Sequence, residues 1–132
     1  MIYIVDFGSQ VTQLIARRVR EAGVYCEIVS NRNLISKIKV NLPSGIIFSG
    51  GPASVHKSRT PKIDQKIFEL KIPILGICYG MQLIVHQLGG KVEISNQREF
   101  GKTLITQKSK SKLFYGVKLK NNQHYVWMSH GD

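Results

Sequence analysis

Four short, largely apolar runs punctuate the first part of the chain: Ile2-Tyr3-Ile4-Val5, Tyr25-Cys26-Glu27-Ile28-Val29, Gly45-Ile46-Ile47-Phe48-Ser49 and Pro73-Ile74-Leu75-Gly76-Ile77. Each is too short for a stable helix and rich in β-branched residues. Apolar runs of this kind are strands covered on both faces, the habit of parallel sheets. Between them the period changes. Val11, Leu14, Ile15, Val19 and Ala22 share one helical face, as do Ile63, Ile67 and Leu70, and a last helix runs through Met81, Ile84, Val85 and Leu88. Ser9 reads as the N-cap of the first helix and Gly23 as its stop. Thr60-Pro61 reads as the start of a later one, with proline at the first helical position. The polar stretch 31–41 holds a short helix around Leu34 to Ile38. Strand–helix alternation of this kind predicts an open, mostly parallel α/β sheet with helices on both faces.

After Gly90 the alternation stops. Lys91 to Gln107 reads as short strands added antiparallel to the main sheet. Leu113-Phe114 suggests one helical turn, and Tyr125-Val126-Trp127-Met128 a last strand.

Composition narrows the function classes. A chain of 132 residues suffices for one domain. Its hydrophobic fraction of 42% and charged fraction of 20% are those of a globular protein in water. No apolar run approaches the ~20 residues that span a bilayer. Met1 to Asp6 offers neither a basic leader nor a cleavage site, so a cytoplasmic protein is expected. The two cysteines, Cys26 and Cys78, form no CxxC pair and no zinc-type spacing with histidine, which fits a reducing compartment. A formal net charge of +11 raises nucleic-acid binding. The lysines are spread along the chain, however, and the densest run, Lys108 to Lys112, reads as a solvated loop. Without a recognition motif, nucleic acid is not an expected partner.

In open α/β sheets reactive groups gather at the carboxyl ends of the strands. Gly76-Ile77-Cys78-Tyr79-Gly80 lies between the fourth strand and a helix, the context of a nucleophile elbow. A sharp turn lifts the nucleophile above the sheet, and flanking glycines remove β-carbons that would obstruct it. The following helix aims its N-terminus at the sulfur, which favours the thiolate. The backbone N–H of Tyr79 is then free to face a developing oxyanion. Gly50-Gly51-Pro52 closes the adjacent strand and could supply a second N–H. A tight turn without chemistry is the bland alternative for that segment, and a buried structural cysteine is the bland alternative for Cys78. Cys26, inside a strand, reads as packing.

These residues resemble a known family. Class I glutamine amidotransferases carry a Gly-x-Cys-x-Gly elbow on a flavodoxin-like α/β fold, and Gly76-Ile77-Cys78-Tyr79-Gly80-Met81-Gln82 is similar to it throughout. Ser49-Gly50-Gly51-Pro52 matches the family's second motif. The opening Ile4 to Gln10, Arg98-Glu99-Phe100-Gly101 and Val126 to Asp132 resemble the glutaminase domain of the GMP synthetase type in particular. The resemblance implies that Cys78 attacks the side-chain amide of L-glutamine. Gly51 and Tyr79 hold the oxyanion. Gln82, Ser129 and Gly131 contact the substrate, and the ammonia passes to a synthetase that aminates XMP. The glutaminase step needs no cofactor or metal, and ATP and Mg belong to the synthetase domain.

The family's triad also uses a His and a Glu in a Pro-x-x-x-His-Pro-Glu stretch beyond the Ser-His-Gly-Asp motif. By this resemblance residues 1–132 are a single partial domain, C-terminally truncated, without the ATP-pyrophosphatase domain. A separate synthetase chain would be its partner. His86 follows Cys78 by eight residues on one predicted helix, so it lies about 12 Å along the axis, out of reach as a base. His56, His124 and His130 are not expected to replace the missing histidine. The expectation is a weakly active or inactive glutaminase, the alternative a non-catalytic glutamine-binding or relic protein. A different cysteine hydrolase on a similar fold fits the later motifs less well.

Overall fold

The computed structural model describes residues 1–95 and 99–130. It divides into two compact units, Met1–Val92 and Glu93–Asp132.

The first unit is a four-stranded parallel sheet: β1 (Ile2–Asp6), β2 (Cys26–Ser30), β3 (Gly45–Phe48) and β4 (Ile74–Gly76), in the order β2-β1-β3-β4. The register sets Ile4 beside both Ile28 and Ile47, and Phe48 beside Gly76. Successive side chains alternate faces, so β1, β2 and β3 each feed two separate cores. Tyr3, Val5, Ile46 and Phe48 enter one, together with Leu34, Ile38, Ile67, Tyr79 and Leu83. That face therefore carries α2 (Leu34–Val40), α3 (Lys66–Glu69) and α4 (Tyr79–Gln87). Ile4, Ile47 and Cys26 enter the other, against Ala16 of α1 (Thr12–Glu21). Helices on both faces follow as expected.

The local chemistry sets the helix ends. Beyond α1, Gly23 takes a φ of 78° and donates to the carbonyl of Arg20, while Val24 donates back to Val19. These two bonds make a Schellman stop, which consumes carbonyls the helix end would leave bare. At the other end the expectation shifts by two residues. The N-cap is Val11, and Ser9 instead accepts from the N–H of Val11 at its side chain and of Thr12 at its carbonyl.

Two sequence expectations are corrected. The helix read from Thr60-Pro61 begins only at Lys66. The backbone before it is held by side chains of α4: Gln87 accepts from the N–H of Ile63 and donates to its carbonyl, and the Tyr79 phenol donates to the carbonyl of Pro61. Groups bonded this way cannot join a helical ladder. The strands after Gly90 are not additions to the main sheet. In the second unit β5 (Glu99–Thr106) and β6 (Gln123–His130) pair antiparallel with one another in a sheet of their own. Between them Lys112–Phe114 forms the expected helical turn.

Candidate functional site

The site grows from the way the parallel sheet is wound. β1 leads through α1 to β2 on one side, whereas β3 and β4 lie on the other. The strand order therefore reverses between β1 and β3, and a crevice opens beyond their carboxyl ends. A cleft of about 430 Å³ occupies this place. Its walls are the loop after β1 (Gly8, Ser9, Gln10), the turn after β3 (Gly50, Gly51, Pro52) and the end of β4 (Ile77, Cys78).

Cys78 is exposed, whereas Cys26 is 1% exposed with its Sγ 3.4 Å from the carbonyl oxygen of Ala16. Cys78 is also one of few non-glycine residues with positive φ, at φ 50° and ψ −116°, and it is the N-cap of α4. A side chain in this region is strained by about 1–3 kcal/mol. Its neighbours show how the turn is held. A β-carbon on Gly80 would collide with the carbonyl oxygen of Phe48, and one on Gly76 would lie 2.6 Å from Cα of Met81. Only glycine lets α4 approach this closely, to β3 at Gly80 and to β4 at Gly76. The Gly80 N–H donates to the carbonyls of Ser49 and Ile77, so the elbow is pinned to the end of β3.

The glycine turn comes equally close. A β-carbon on Gly50 would sit 3.4 Å from Cβ of Cys78 and 3.7 Å from Oγ of Ser9, which locates all three around one point. Ser49, fully buried, accepts from the Phe7 N–H at 3.2 Å and donates to the Gly50 carbonyl at 3.0 Å. Among the described residues, the N–H groups of Gly51 and Tyr79 donate to no acceptor. Burial pushes the Tyr79 phenol above its ordinary value of 10.0, an effect the neighbouring Thr60 side chain opposes only in part. Tyr79 therefore remains a donor for Pro61 throughout the neutral range.

Of the residues predicted for the site, Cys78, Gly51 and Tyr79 come together here. Gln82 follows one turn into α4, with its N–H donating to the Cys78 carbonyl. Ser129 lies on β6 opposite Phe100, in the second unit. Gly131 and Arg98 fall outside the described residues. Sequence reasoning missed Ser9 as a wall of the cleft and Ser49 as the link between its loops. The signal for Ser49 was present: a serine ending an apolar strand beside two glycines has no polar neighbour except backbone. Among the described residues, no cluster of His, Cys, Asp and Glu is suited to a metal ion, and no helix is long and apolar enough to cross a membrane.

The parallel α/β sheet thus presents a strained, exposed cysteine between strand and helix, beside a glycine turn with unused amides. The family model for class-I glutamine amidotransferases matches residues 3–132, and the chain belongs to that family. Over 132 residues it is 54% identical to a GMP synthase [glutamine-hydrolyzing] of Clostridium perfringens, covering 100% of this chain and 25% of that protein. It is 55% identical over 130 residues to the Acetivibrio thermocellus protein of the same name, covering 98% of this chain and 25% of the relative. The chain thus spans about a quarter of the length of these relatives. The crystal structure of a GMP synthase subunit from Thermoplasma acidophilum superposes with a TM-score of 0.72 at 32% identity, over 98% of this chain and 64% of that one.

Proposed function

We propose that this chain carries the nucleophile half of a glutaminase site that supplies ammonia for the amination of XMP to GMP. The observation that carries the reading is the exposed Cys78 at positive φ, beside the unused amides of Tyr79 and Gly51. Sulfur adds to the side-chain carbonyl carbon of L-glutamine, and the carbonyl oxygen becomes an oxyanion that accepts from those two N–H groups. The carbon–nitrogen bond then breaks and ammonia leaves with a proton from a general acid. Water adds to the thioester, the carbon–sulfur bond breaks, and glutamate and the thiol are released. In this reading Gln82 contacts the bound glutamine, and the family resemblance assigns backbone groups of Ser129 and Gly131 to its amino-acid end.

The family's histidine takes the thiol proton and returns it to the leaving ammonia, with the Glu as the third triad member, and the relatives extend well past the matched region. No cofactor enters the glutaminase step. ATP and Mg act in a synthetase portion, on the same or a separate chain, that consumes the ammonia in the cytoplasm. Ammonia release from glutamine by this chain, wild type against Cys78→Ala, tests the division of labour. Release near background in both is expected. Robust release that depends on Cys78 would place the base within these residues and overturn that assignment.

A further inference from the structure

Beyond the glutaminase cleft, a second pocket lies at the carboxyl end of β2. We propose that it is a phosphate-binding site, independent of the reading above. The pocket holds about 330 Å³ and is lined by Asn31, Arg32, Arg59, Thr60, Pro61 and Lys62. Arg32 comes from the turn between β2 and α2, and the other two cations come from the loop after β3. Among the described residues Arg32, Arg59 and Lys62 form no ion pair, in contrast to Arg17 and Arg18, which both pair with Glu21 on α1. Three like charges thus line one concavity without an ion-pair partner, and a bound anion offsets their mutual repulsion.

The walls are fixed while the charged arms stay free. The Asn31 amide donates to the Lys62 carbonyl at 3.0 Å, joining the two loops. The Thr60 hydroxyl donates to the Lys57 carbonyl, and the Tyr79 phenol holds Pro61. A preformed frame lowers the ordering cost of binding. Guanidinium groups match phosphate oxygens in paired hydrogen bonds, with lysine adding a point charge. Three positive charges suit a dianion better than a single carboxylate. The lining holds no aromatic ring on which a base could stack, so the pocket fits a phosphate group rather than a nucleic-acid strand.

Calorimetric titration of the chain with inorganic phosphate, pyrophosphate and a nucleoside monophosphate, at low salt, tests the site. Saturable one-to-one binding of phosphate or pyrophosphate is expected, weakened at least tenfold by Arg59→Ala or Arg32→Ala and unchanged by Arg17→Ala. Raising salt to physiological strength should weaken it further, since exposed charges are screened over about 8 Å. Tighter binding of the monophosphate than of phosphate would identify a phosphate ester as the ligand. The pocket variants change exposed side chains, and unchanged thermal melts verify that they fold. Equal binding by wild type and Arg59→Ala, several weak sites instead of one, or affinity only for an acidic peptide would overturn the proposal.

Discussion

The phenol of Tyr79 donates to the backbone carbonyl of Pro61, which fastens the residue after Cys78 to the loop that begins with the glycine turn. The two amides proposed to hold the oxyanion, on Tyr79 and Gly51, thus sit at opposite ends of one tethered segment. Tyr79→Phe removes the donor and leaves a carbonyl unpaired, with an expected stability loss of about 1–3 kcal/mol in urea unfolding.

The same phenol sets a pH dependence. Burial raises its value in the folded protein above 10.0, so the folded state keeps a proton that the unfolded chain releases first. Its contribution to stability is therefore complete below pH ~10 and declines as pH rises through the folded value. Tyr3 is raised by burial and by the nearby Glu27 and Tyr25, and acts in the same direction. Unfolding curves from pH 8 to 11 should show falling stability in wild type and a shallower fall in Tyr79→Phe. An identical slope in the two proteins would remove Tyr79 from the account.

At the elbow, space matters more than chemistry. Gly80→Ala forces a β-carbon onto the Phe48 carbonyl, where backbone must shift on both sides. A loss of about 2–3 kcal/mol or more is expected in denaturant melts. Gly116→Ala is the comparison: its φ of 75° is strained for alanine but nothing lies within 4 Å, so only about 1–2 kcal/mol should be lost. Equal losses would show that the approach of α4 to β3 is not close.

Cys78 itself is held against its own preference. Cys78→Gly relieves the strain of a side chain at φ 50°, partly offset by the greater freedom of glycine in the unfolded chain. A gain of about 1 kcal/mol in stability is expected, together with complete loss of thiol chemistry at this position. A clear loss of stability would mean that the cysteine side chain packs rather than strains.

The alternation of apolar runs made the parallel sheet legible, because runs covered on both faces leave little choice of partner. The elbow was legible for a related reason: glycines two residues either side of a cysteine, between strand and helix, have few other uses. The start of α3 was not. Thr60-Pro61 carries a strong local helix signal, yet Gln87 and Tyr79 bond the backbone of Pro61 and Ile63 from a helix up to 24 residues away in sequence. Such long-range side-chain bonds leave no local mark. The pairing of β5 with β6 was hidden similarly, since an alternating strand states its period but not its partner. The cationic pocket was invisible as well, because Arg32 and Arg59 meet only through the fold.

The central claim is that Cys78 is a nucleophile aimed at a glutamine side chain. A glutamine analogue with an electrophilic carbon in place of its amide, followed by peptide mass spectrometry, tests this most directly. Labelling is expected at Cys78 and not at Cys26, slowed at least tenfold by excess L-glutamine but not by L-leucine. Equal labelling of both cysteines, or labelling of Cys78 that glutamine leaves unchanged, would contradict it.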